Sequence, residues 1–191
     1  WAHSLEHEEG IAKLVEKGKS QFAGPEIKGK TLGIIGLGAI GALVANAAIA
    51  LGMQVVGTDP FLSVGAALRL NPAVKIVKDS DGVFAAADYL TIHVPFNNDT
   101  KGMINAETIA KMKDGVRVLN YARGELVNDD DMLAALASGK VTCYCTDFPN
   151  EKTCNAEGII ATPHLGASTP ESEENCASMA AEELISYLET G

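Results

Sequence analysis

The stretch TLGIIGLGAIGALVANAAIALGMQVVGTD occupies residues 31–59, and it decides the fold. A short apolar run at residues 31–35 predicts a buried strand, and residues 53–58 predict a second one. The Ala- and Leu-rich residues 39–51 between them favour a buried helix that ends at Gly52. The stretch therefore has the length and the order of one strand–helix–strand unit, whose two strands run parallel.

The turn between the first strand and the helix carries the pattern G-x-G-x-x-G. In this pattern Gly36 permits the tight turn, Gly38 lets the backbone approach a pyrophosphate, and Gly41 allows close packing of helix against strand. The first helical residues, Ala39 and Ile40, belong to a helix N-terminus, whose free N–H groups attract phosphate. The turn predicts a dinucleotide-binding site.

An acidic residue follows the second strand. Asp59 lies 18 positions after Gly41. A carboxylate there accepts hydrogen bonds from both hydroxyl groups of an adenosine ribose and repels a 2′-phosphate. The next residues, Pro60 and Phe61, supply no cation to hold such a phosphate. The pattern predicts NAD rather than NADP as the cofactor.

The remaining chain continues the alternation of strands and helices. Further strands are predicted at residues 74–77, 89–94, 116–120, 141–146 and 158–161, and helices at 3–18, 80–87, 106–113, 129–138 and 169–188. Strands separated by helices predict a Rossmann-type doubly wound parallel sheet with helices on both faces. We expect an N-terminal helical arm at residues 1–24 and a dinucleotide-binding domain at residues 25–191.

Composition narrows the class of protein. The 191 residues carry 25 acidic and 15 basic side chains, which give a net charge of −10 and argue against binding to nucleic acid or to a membrane surface. No signal peptide opens the chain, and no apolar run is long enough to span a bilayer. Among the four cysteines, Cys143 and Cys145 would point to the same face of a strand. Reduced thiols and a cytoplasmic location are expected.

Five motifs together carry a resemblance to a known family. They are GLGAIG at residues 36–41 with Asp59-Pro60, HVP at 93–95 with Thr100, NYARG at 120–124, FPNE at 148–151 and TPHLGAST at 162–169. In this order they resemble the D-2-hydroxyacid dehydrogenases, from about Phe22 to the C-terminus. The last motif is most similar to the phosphoglycerate dehydrogenase branch of that family.

The resemblance implies an NAD-dependent enzyme with three catalytic residues, Arg123, Glu151 and His164. The chemistry of a hydroxy acid fits these residue types. A histidine titrates near neutrality and can take the hydroxyl proton. A carboxylate beside the histidine would orient its ring, and an arginine presents a rigid fork to the substrate carboxylate.

The resemblance also implies a set of cofactor contacts. They are Gly36, Gly38, Ala39, Ile40, Gly41, Asp59, His93, Val94, Pro95, Thr100, Tyr121, Ala122, Arg123, Asp147, His164 and Gly166. One departure from the family leaves an alternative open. Alignment on Phe148-Pro149 puts Thr146 where the family has an aspartate on the nicotinamide side, and Asp147 follows one residue later.

Other functions compete with this interpretation. The substrate could be another 2-hydroxy acid, such as glyoxylate or lactate, or the protein could be a non-catalytic NAD-sensing corepressor. The pattern HSLEH at residues 3–7 matches an inverted zinc-protease motif, but no metal is expected, since the rest of the chain follows the Rossmann pattern.

About thirty residues precede the first Rossmann strand, so the family's substrate domain is expected to be absent. Residues 3–18 are expected to form a homodimer contact.

Overall fold

The computed structural model describes residues 1–190, apart from the side chains of Ala2 and His3. The strands are β1 (Thr31–Ile35), β2 (Gln54–Thr58), β3 (Lys75–Ile76), β4 (Tyr89–Ile92), β5 (Val116–Asn120), β6 (Val141–Thr146) and β7 (Ile159–Ala161). The α-helices are α1 (Ile11–Gly18), α2 (Ala39–Ala50), α3 (Val64–Ala67), α4 (Ser80–Ala86), α5 (Ala106–Ala110), α6 (Asp129–Ala137) and α7 (Pro170–Thr190). The zinc hypothesis for residues 3–7 needs the His3 side chain, which lies outside the described part.

All seven strands form one parallel sheet in the order β3-β2-β1-β4-β5-β6-β7. The predicted doubly wound parallel fold is confirmed. The chain order reverses between β1 and β4, which pair directly. In such sheets ligands bind beyond the carboxyl ends of the strands, at this switch point. The loops after β1, β2, β4, β5, β6 and β7 all lie at that edge.

Two apolar clusters cover the faces of the sheet. Helix α2 packs on β1 and β2 over one cluster, in which Ile34 and Leu37 are fully buried. The second cluster lies on the opposite face and includes Phe84 of α4 and Met132 of α6. These clusters hold the strand ends, and therefore the loops of the site, in fixed positions.

The face that α2 covers is less protected at the other end of the sheet. Beside β5 and β6, this face carries side chains that are only half-buried, namely Arg117, Leu119, Cys143 and Cys145. On the neighbouring strand β7, Ile160 is 55% exposed. Tyr144, the residue of β6 that points the other way, is fully packed in the second cluster. The sheet is thus fully covered on one face and partly open on the other beside β5, β6 and β7.

The N-terminal segment differs from the single helix predicted at residues 3–18. A 3-10 helix at Ala2–Leu5 is followed by Gly10 with φ of 71°, and only then does α1 begin. A residue in the left-handed region ends a right-handed helix, and glycine adopts that conformation without strain.

Helix α3 was not predicted from the sequence. The Ser63 hydroxyl caps this helix by accepting a hydrogen bond from the Ala66 N–H at 3.1 Å.

Helix α7 extends beyond the sheet. Each of its 21 residues is exposed except Ser172, which is half-buried. Its apolar side chains therefore have no substantial cover from the described part of the chain; Leu184 is 60% and Leu188 is 74% exposed. Within residues 1–190, no helix has both the length and the apolar character needed to cross a membrane.

Candidate active site

The glycine turn after β1 is built by close backbone contacts. Gly36 has φ of 94°, and a Cβ at this position would lie 2.5 Å from the carbonyl oxygen of His93. A Cβ on Gly41 would overlap the carbonyl oxygen of Gly36. Both glycines are therefore required by the packing of the turn against α2 and β4. At Gly38, by contrast, a Cβ would meet no atom within 4 Å.

An adenosine-side cavity of about 560 Å³ opens beside this turn, and its lining includes Gly36, Gly38, Asp59, Phe61 and Lys78. Asp59 accepts two backbone hydrogen bonds, from Leu37 N–H at 2.9 Å and from Phe61 N–H at 2.8 Å. Each carboxylate oxygen keeps a lone pair for a further donor. The open space over Gly38, at the N-terminus of α2, and the oriented carboxylate of Asp59 together fit a pyrophosphate and a ribose.

The structure corrects one expectation about this cavity. Pro60 and Phe61, which follow Asp59, supply no cation, but Lys78 lines the same cavity. Lys78 follows β3, which pairs with β2, so the parallel ladder brings it to the edge where Asp59 lies. A 2′-phosphate in this cavity would therefore be repelled by the Asp59 carboxylate and attracted by the Lys78 ammonium group.

His93 lies where the adenosine-side cavity meets a second one, and it lines both. Its Nε2 is 3.0 Å from the Thr91 hydroxyl, and burial lowers its pKa, so the ring is neutral near pH 7. The following loop is fixed by Thr100, whose hydroxyl donates to the carbonyl oxygen of Pro95 at 2.8 Å. Val94 and Pro95 line both cavities with His93.

The second cavity, on the nicotinamide side, has a volume of about 630 Å³. It is lined by Ile40, His93, Val94, Pro95, Tyr121, Ala122, Arg123, Asp147, His164, Gly166 and Ala167. Ten of these eleven residues are cofactor contacts implied by the resemblance, and they come from the loops after β1, β4, β5, β6 and β7. Burial raises the pKa of Tyr121, so its phenol is protonated at neutral pH.

A buried asparagine shapes the turn that presents Arg123. Asn120, fully buried at the end of β5, donates from Nδ2 to the carbonyl oxygen of Arg123 at 2.8 Å. Its Oδ1 accepts from the Ala122 N–H at 3.2 Å. Arg123 is exposed, and its guanidinium donates to the Ala122 carbonyl at 2.6 Å. The sequence predicted Asn120 only as the last residue of a strand within the NYARG motif; an amide side chain at the end of an apolar strand was the available signal of a structural role.

A histidine–carboxylate pair lies at the wall of the nicotinamide-side cavity. His164 Nδ1 is 2.7 Å from Oδ2 of Asp147, and the ring packs on Phe148 with centroids 4.6 Å apart. The Asp147 side chain is 9% exposed and that of His164 is 51% exposed. Oδ1 of Asp147 is buried and has no hydrogen-bond partner among residues 1–190. The carboxylate of the pair is therefore buried, whereas the imidazole ring is accessible.

Glu151 does not occupy the position expected from the sequence. Its side chain is exposed, and no hydrogen bond or ion pair joins it to His164 in the described residues. The loop is fixed against α6 by Asn150, which donates to Asp129 at 2.7 Å, and by Lys152, which pairs with Asp130 at 2.7 Å. The expected partner of His164 is corrected: the structure pairs it with Asp147. Asp147 also faces the cavity, whereas Thr146 is buried.

Comparisons with known proteins identify the family of the chain. Residues 2–166 match the family model described as D-isomer specific 2-hydroxyacid dehydrogenase, NAD binding domain. A D-3-phosphoglycerate dehydrogenase of Bacillus subtilis (strain 168) is 39% identical over 181 residues, which are 92% of this chain and 34% of that protein. A hydroxypyruvate reductase of Thermotoga maritima is 36% identical over 179 residues, 89% of this chain and 56% of that protein.

Solved structures share the fold. A D-lactate dehydrogenase from Treponema pallidum superposes with a TM-score of 0.77 at 28% identity, over 98% of this chain and 61% of that one. The chain spans about a third of the length of the D-3-phosphoglycerate dehydrogenases it matches. The family model covers residues 2–166, which include the glycine turn, Asp59 and the Asp147–His164 pair. The chain therefore belongs to the NAD-binding domain family of the D-isomer specific 2-hydroxyacid dehydrogenases.

Proposed function

We propose that this chain is the cofactor-binding part of a longer NAD-dependent dehydrogenase that oxidises 3-phosphoglycerate. The observation that carries the proposal is the Asp147–His164 pair at the wall of the nicotinamide-side cavity, which also holds Arg123. The similarity to D-3-phosphoglycerate dehydrogenases, at 35% to 39% identity, supports the choice of substrate. The arm at residues 1–24 and the domain at residues 25–191 are the parts that we assign to this chain.

The side chains at the nicotinamide-side cavity can perform the proton transfer of such a reaction. Bound NAD would supply the hydride acceptor. With a proton on Nδ1, His164 donates to the Asp147 carboxylate, which leaves Nε2 free to take the hydroxyl proton of the substrate. Arg123 has five N–H donors and uses only part of them on the Ala122 carbonyl, so its fork can bind the substrate carboxylate.

A second domain is part of the proposal. The nicotinamide-side cavity is open on the side of His164, whose side chain is half exposed. Hydride transfer needs the reacting carbons at about 3–3.5 Å in a cleft without water, and correct positioning is worth ~7–11 kcal/mol. A further wall that holds the phosphate of the substrate is therefore needed for full activity. We assign that wall to chain outside residues 1–191.

The direct test is a comparison of substrates on the longer protein that contains this chain. With NAD, 3-phosphoglycerate is expected to give a higher kcat/KM than D-lactate or D-glycerate, and residues 1–191 alone are expected to bind NADH with negligible turnover. A higher kcat/KM for D-glycerate would favour a hydroxypyruvate reductase, the class of the Thermotoga maritima relative. Tight NADH binding by the longer protein without turnover of any 2-hydroxy acid would favour an NAD-sensing protein.

The space over Gly38 gives a prediction for cofactor binding. Gly38→Ala is expected to weaken NADH binding by about 10- to 100-fold, because a methyl group placed in the pyrophosphate position costs ~1–3 kcal/mol. The melting temperature should stay nearly the same, since the new Cβ meets no protein atom and Gly38 has φ of −66°. Fluorescence titration measures the affinity. Gly65→Ala, also unobstructed, is the matched control; equal losses in both variants would contradict the prediction.

A second prediction concerns the choice between the two nicotinamide cofactors. We expect tighter binding of NADH than of NADPH, and Asp59→Ala should shift the ratio toward NADPH by about tenfold or more, because like charges in contact cost several kcal/mol. In that background Lys78→Ala should remove much of the NADPH affinity, whereas Lys75→Ala, on the exposed strand β3, should not. Titration with both cofactors decides; a ratio unmoved by Asp59→Ala would rule the assignment out.

We further propose a homodimer that forms through residues 3–18. No residue of α1 is buried, and Ile11 is 41% exposed, which leaves an apolar face available for an isologous contact. Light scattering should give twice the chain mass of 20.0 kDa, and Ile11→Lys should lower it toward the single chain. Ile76→Lys, at another exposed isoleucine, which is 52% exposed on the edge strand β3, is the control. A single-chain mass at micromolar concentration would refute the contact.

The four free cysteines and the net charge of −10 support two smaller proposals. The protein works in the reducing cytoplasm, and its ligands are small molecules rather than nucleic acid or membrane lipids.

A further inference from the structure

Two cysteines form a close pair on β6, outside the groups used in the proposed reaction. Cys143 and Cys145 stand two residues apart on the same face of the strand, both half-buried, with their sulfur atoms 3.7 Å apart. Neither forms a disulfide. They lie on the face of the sheet that is partly open beside β5, β6 and β7, next to the exposed Ile160. Both thiols are therefore within reach of a small reagent.

The geometry disfavours a disulfide between the two. Residues two apart on a parallel strand have Cα atoms about 6.6 Å apart, at the long end of the disulfide range of about 4.4–6.8 Å. The sulfur atoms would have to approach from 3.7 Å to about 2.05 Å. Strand β6 pairs with β5 on one side and β7 on the other, so its backbone cannot easily contract. Burial and the neighbouring thiol also raise the pKa of Cys145 to about 12, which leaves little thiolate for exchange.

The separation of 3.7 Å instead matches two sulfur atoms that bind one soft atom. Two sulfur atoms on a tetrahedral zinc ion, each at about 2.3 Å, are about 3.8 Å apart. Zinc needs further protein ligands, however, and the described side chains, which do not include His3, contain no group of three or more His, Cys, Asp or Glu that could hold a metal ion. The pair therefore suits a soft centre that requires two thiols and no third protein ligand.

We propose that Cys143 and Cys145 form a chelating site for monosubstituted trivalent arsenicals. In an arsenical of the type R–As=O, arsenic forms two bonds to sulfur, one to each cysteine, and its bonds to oxygen break. The oxygen leaves as water with the two thiol protons, so R–AsO and two thiols give R–As(S)₂ and one water. No electrons are transferred, and arsenic remains trivalent.

The position of the site gives the adduct a functional consequence. Strand β6 continues directly into Asp147, two residues after Cys145, and Cys145 lies beside Leu119 of β5, two residues before Tyr121. Tyr121 and Asp147 both line the nicotinamide-side cavity. An aryl group attached to the two sulfur atoms would therefore disturb the wall of that cavity, so the adduct is expected to weaken NADH binding.

The test uses phenylarsine oxide on the chain of residues 1–191. Intact-mass spectrometry is expected to show one phenylarsine unit added per chain, with the loss of two thiols that titrate with a thiol reagent. Peptide mapping of the unmodified sequence should place the adduct on the peptide with Cys143 and Cys145, and a small dithiol should reverse it, whereas a monothiol should not.

Variants separate chelation from single-thiol reaction. Cys143→Ser and Cys145→Ser should each weaken binding by about a hundredfold or more, because the second sulfur then no longer acts intramolecularly. The double variant Cys154→Ser with Cys176→Ser, which changes the two exposed cysteines, should bind as the original chain does. Mapping to Cys154 or Cys176, equal binding by Cys143→Ser, or absence of an adduct on the folded chain would each overturn the proposal.

Discussion

His164→Ala in the longer protein is expected to lower kcat by about 10²–10⁴-fold, the usual contribution of general acid–base catalysis. The ring lies at the wall of the nicotinamide-side cavity, with Nδ1 held by Asp147 and about half of the side chain exposed. Its remaining nitrogen is the base that we assign to the substrate hydroxyl. The adenosine-side cavity, which does not include His164, is unchanged, so NADH affinity should be nearly the same.

Steady-state kinetics with 3-phosphoglycerate and fluorescence titration with NADH measure the two quantities separately. His7→Ala is the matched control, because His7 is 90% exposed on the N-terminal segment and lines neither cavity. Full activity of the His164→Ala variant would refute the assignment of the base. A large loss of NADH affinity with little change in kcat would instead leave His164 with the role of a cofactor contact alone.

Asp147→Asn in the longer protein is expected to cost about 10²–10⁴-fold in kcat, whereas Glu151→Gln should change kcat little. The Asp147 carboxylate only accepts, so it fixes the proton of His164 on Nδ1 and leaves Nε2 as the base. An asparagine amide can donate to Nδ1, which moves the ring proton to Nε2 and blocks the base. Glu151 is exposed and forms no hydrogen bond or ion pair with the ring in the described residues, so the loss of its charge leaves the pair intact.

The pH profile distinguishes positioning from a structural role. If Asp147 acts through His164, Asp147→Asn should alter the pH dependence of kcat as well as its size, while KM for the substrate and the melting temperature change little. Glu151→Gln should keep the profile of the unmodified enzyme. The reverse pattern, with a large loss in Glu151→Gln and a small one in Asp147→Asn, would mean that Glu151 is the partner of His164 during turnover.

The sheet was predictable because each signal in it is local. Buried parallel strands are continuous apolar runs, and the strands predicted at 31–35, 116–120 and 141–146 coincide with β1, β5 and β6. The helix predicted at 3–18 was wrong in its first half, because a periodic pattern says little about a single left-handed glycine such as Gly10. Helix α3 is a single turn, too short to leave a periodic pattern in the sequence.

The residues of the candidate site were less predictable than its location. The motifs predicted that Arg123, His164 and the glycine turn contribute to one site. The parallel topology places all three at the same edge of the sheet. The partner of His164 depends on the path of the loop after β6, which Asn150 and Lys152 fix through contacts with α6. Lys78 reaches Asp59 only through the pairing of β3 with β2. Such long-range contacts have no pattern in the sequence near either residue.

Asp147 contributes both to the wall of the nicotinamide-side cavity and to the orientation of the base His164, so these two properties evolve together. Oδ2 holds His164, while Oδ1 is buried, lacks a hydrogen-bond partner in the described part of the chain and belongs to a residue that lines the cavity; an unpaired buried oxygen costs about 1–3 kcal/mol. A substitution at position 147 therefore alters the orientation of the base and the wall of the cavity at once. Position 147 is therefore expected to show strong epistasis with position 164.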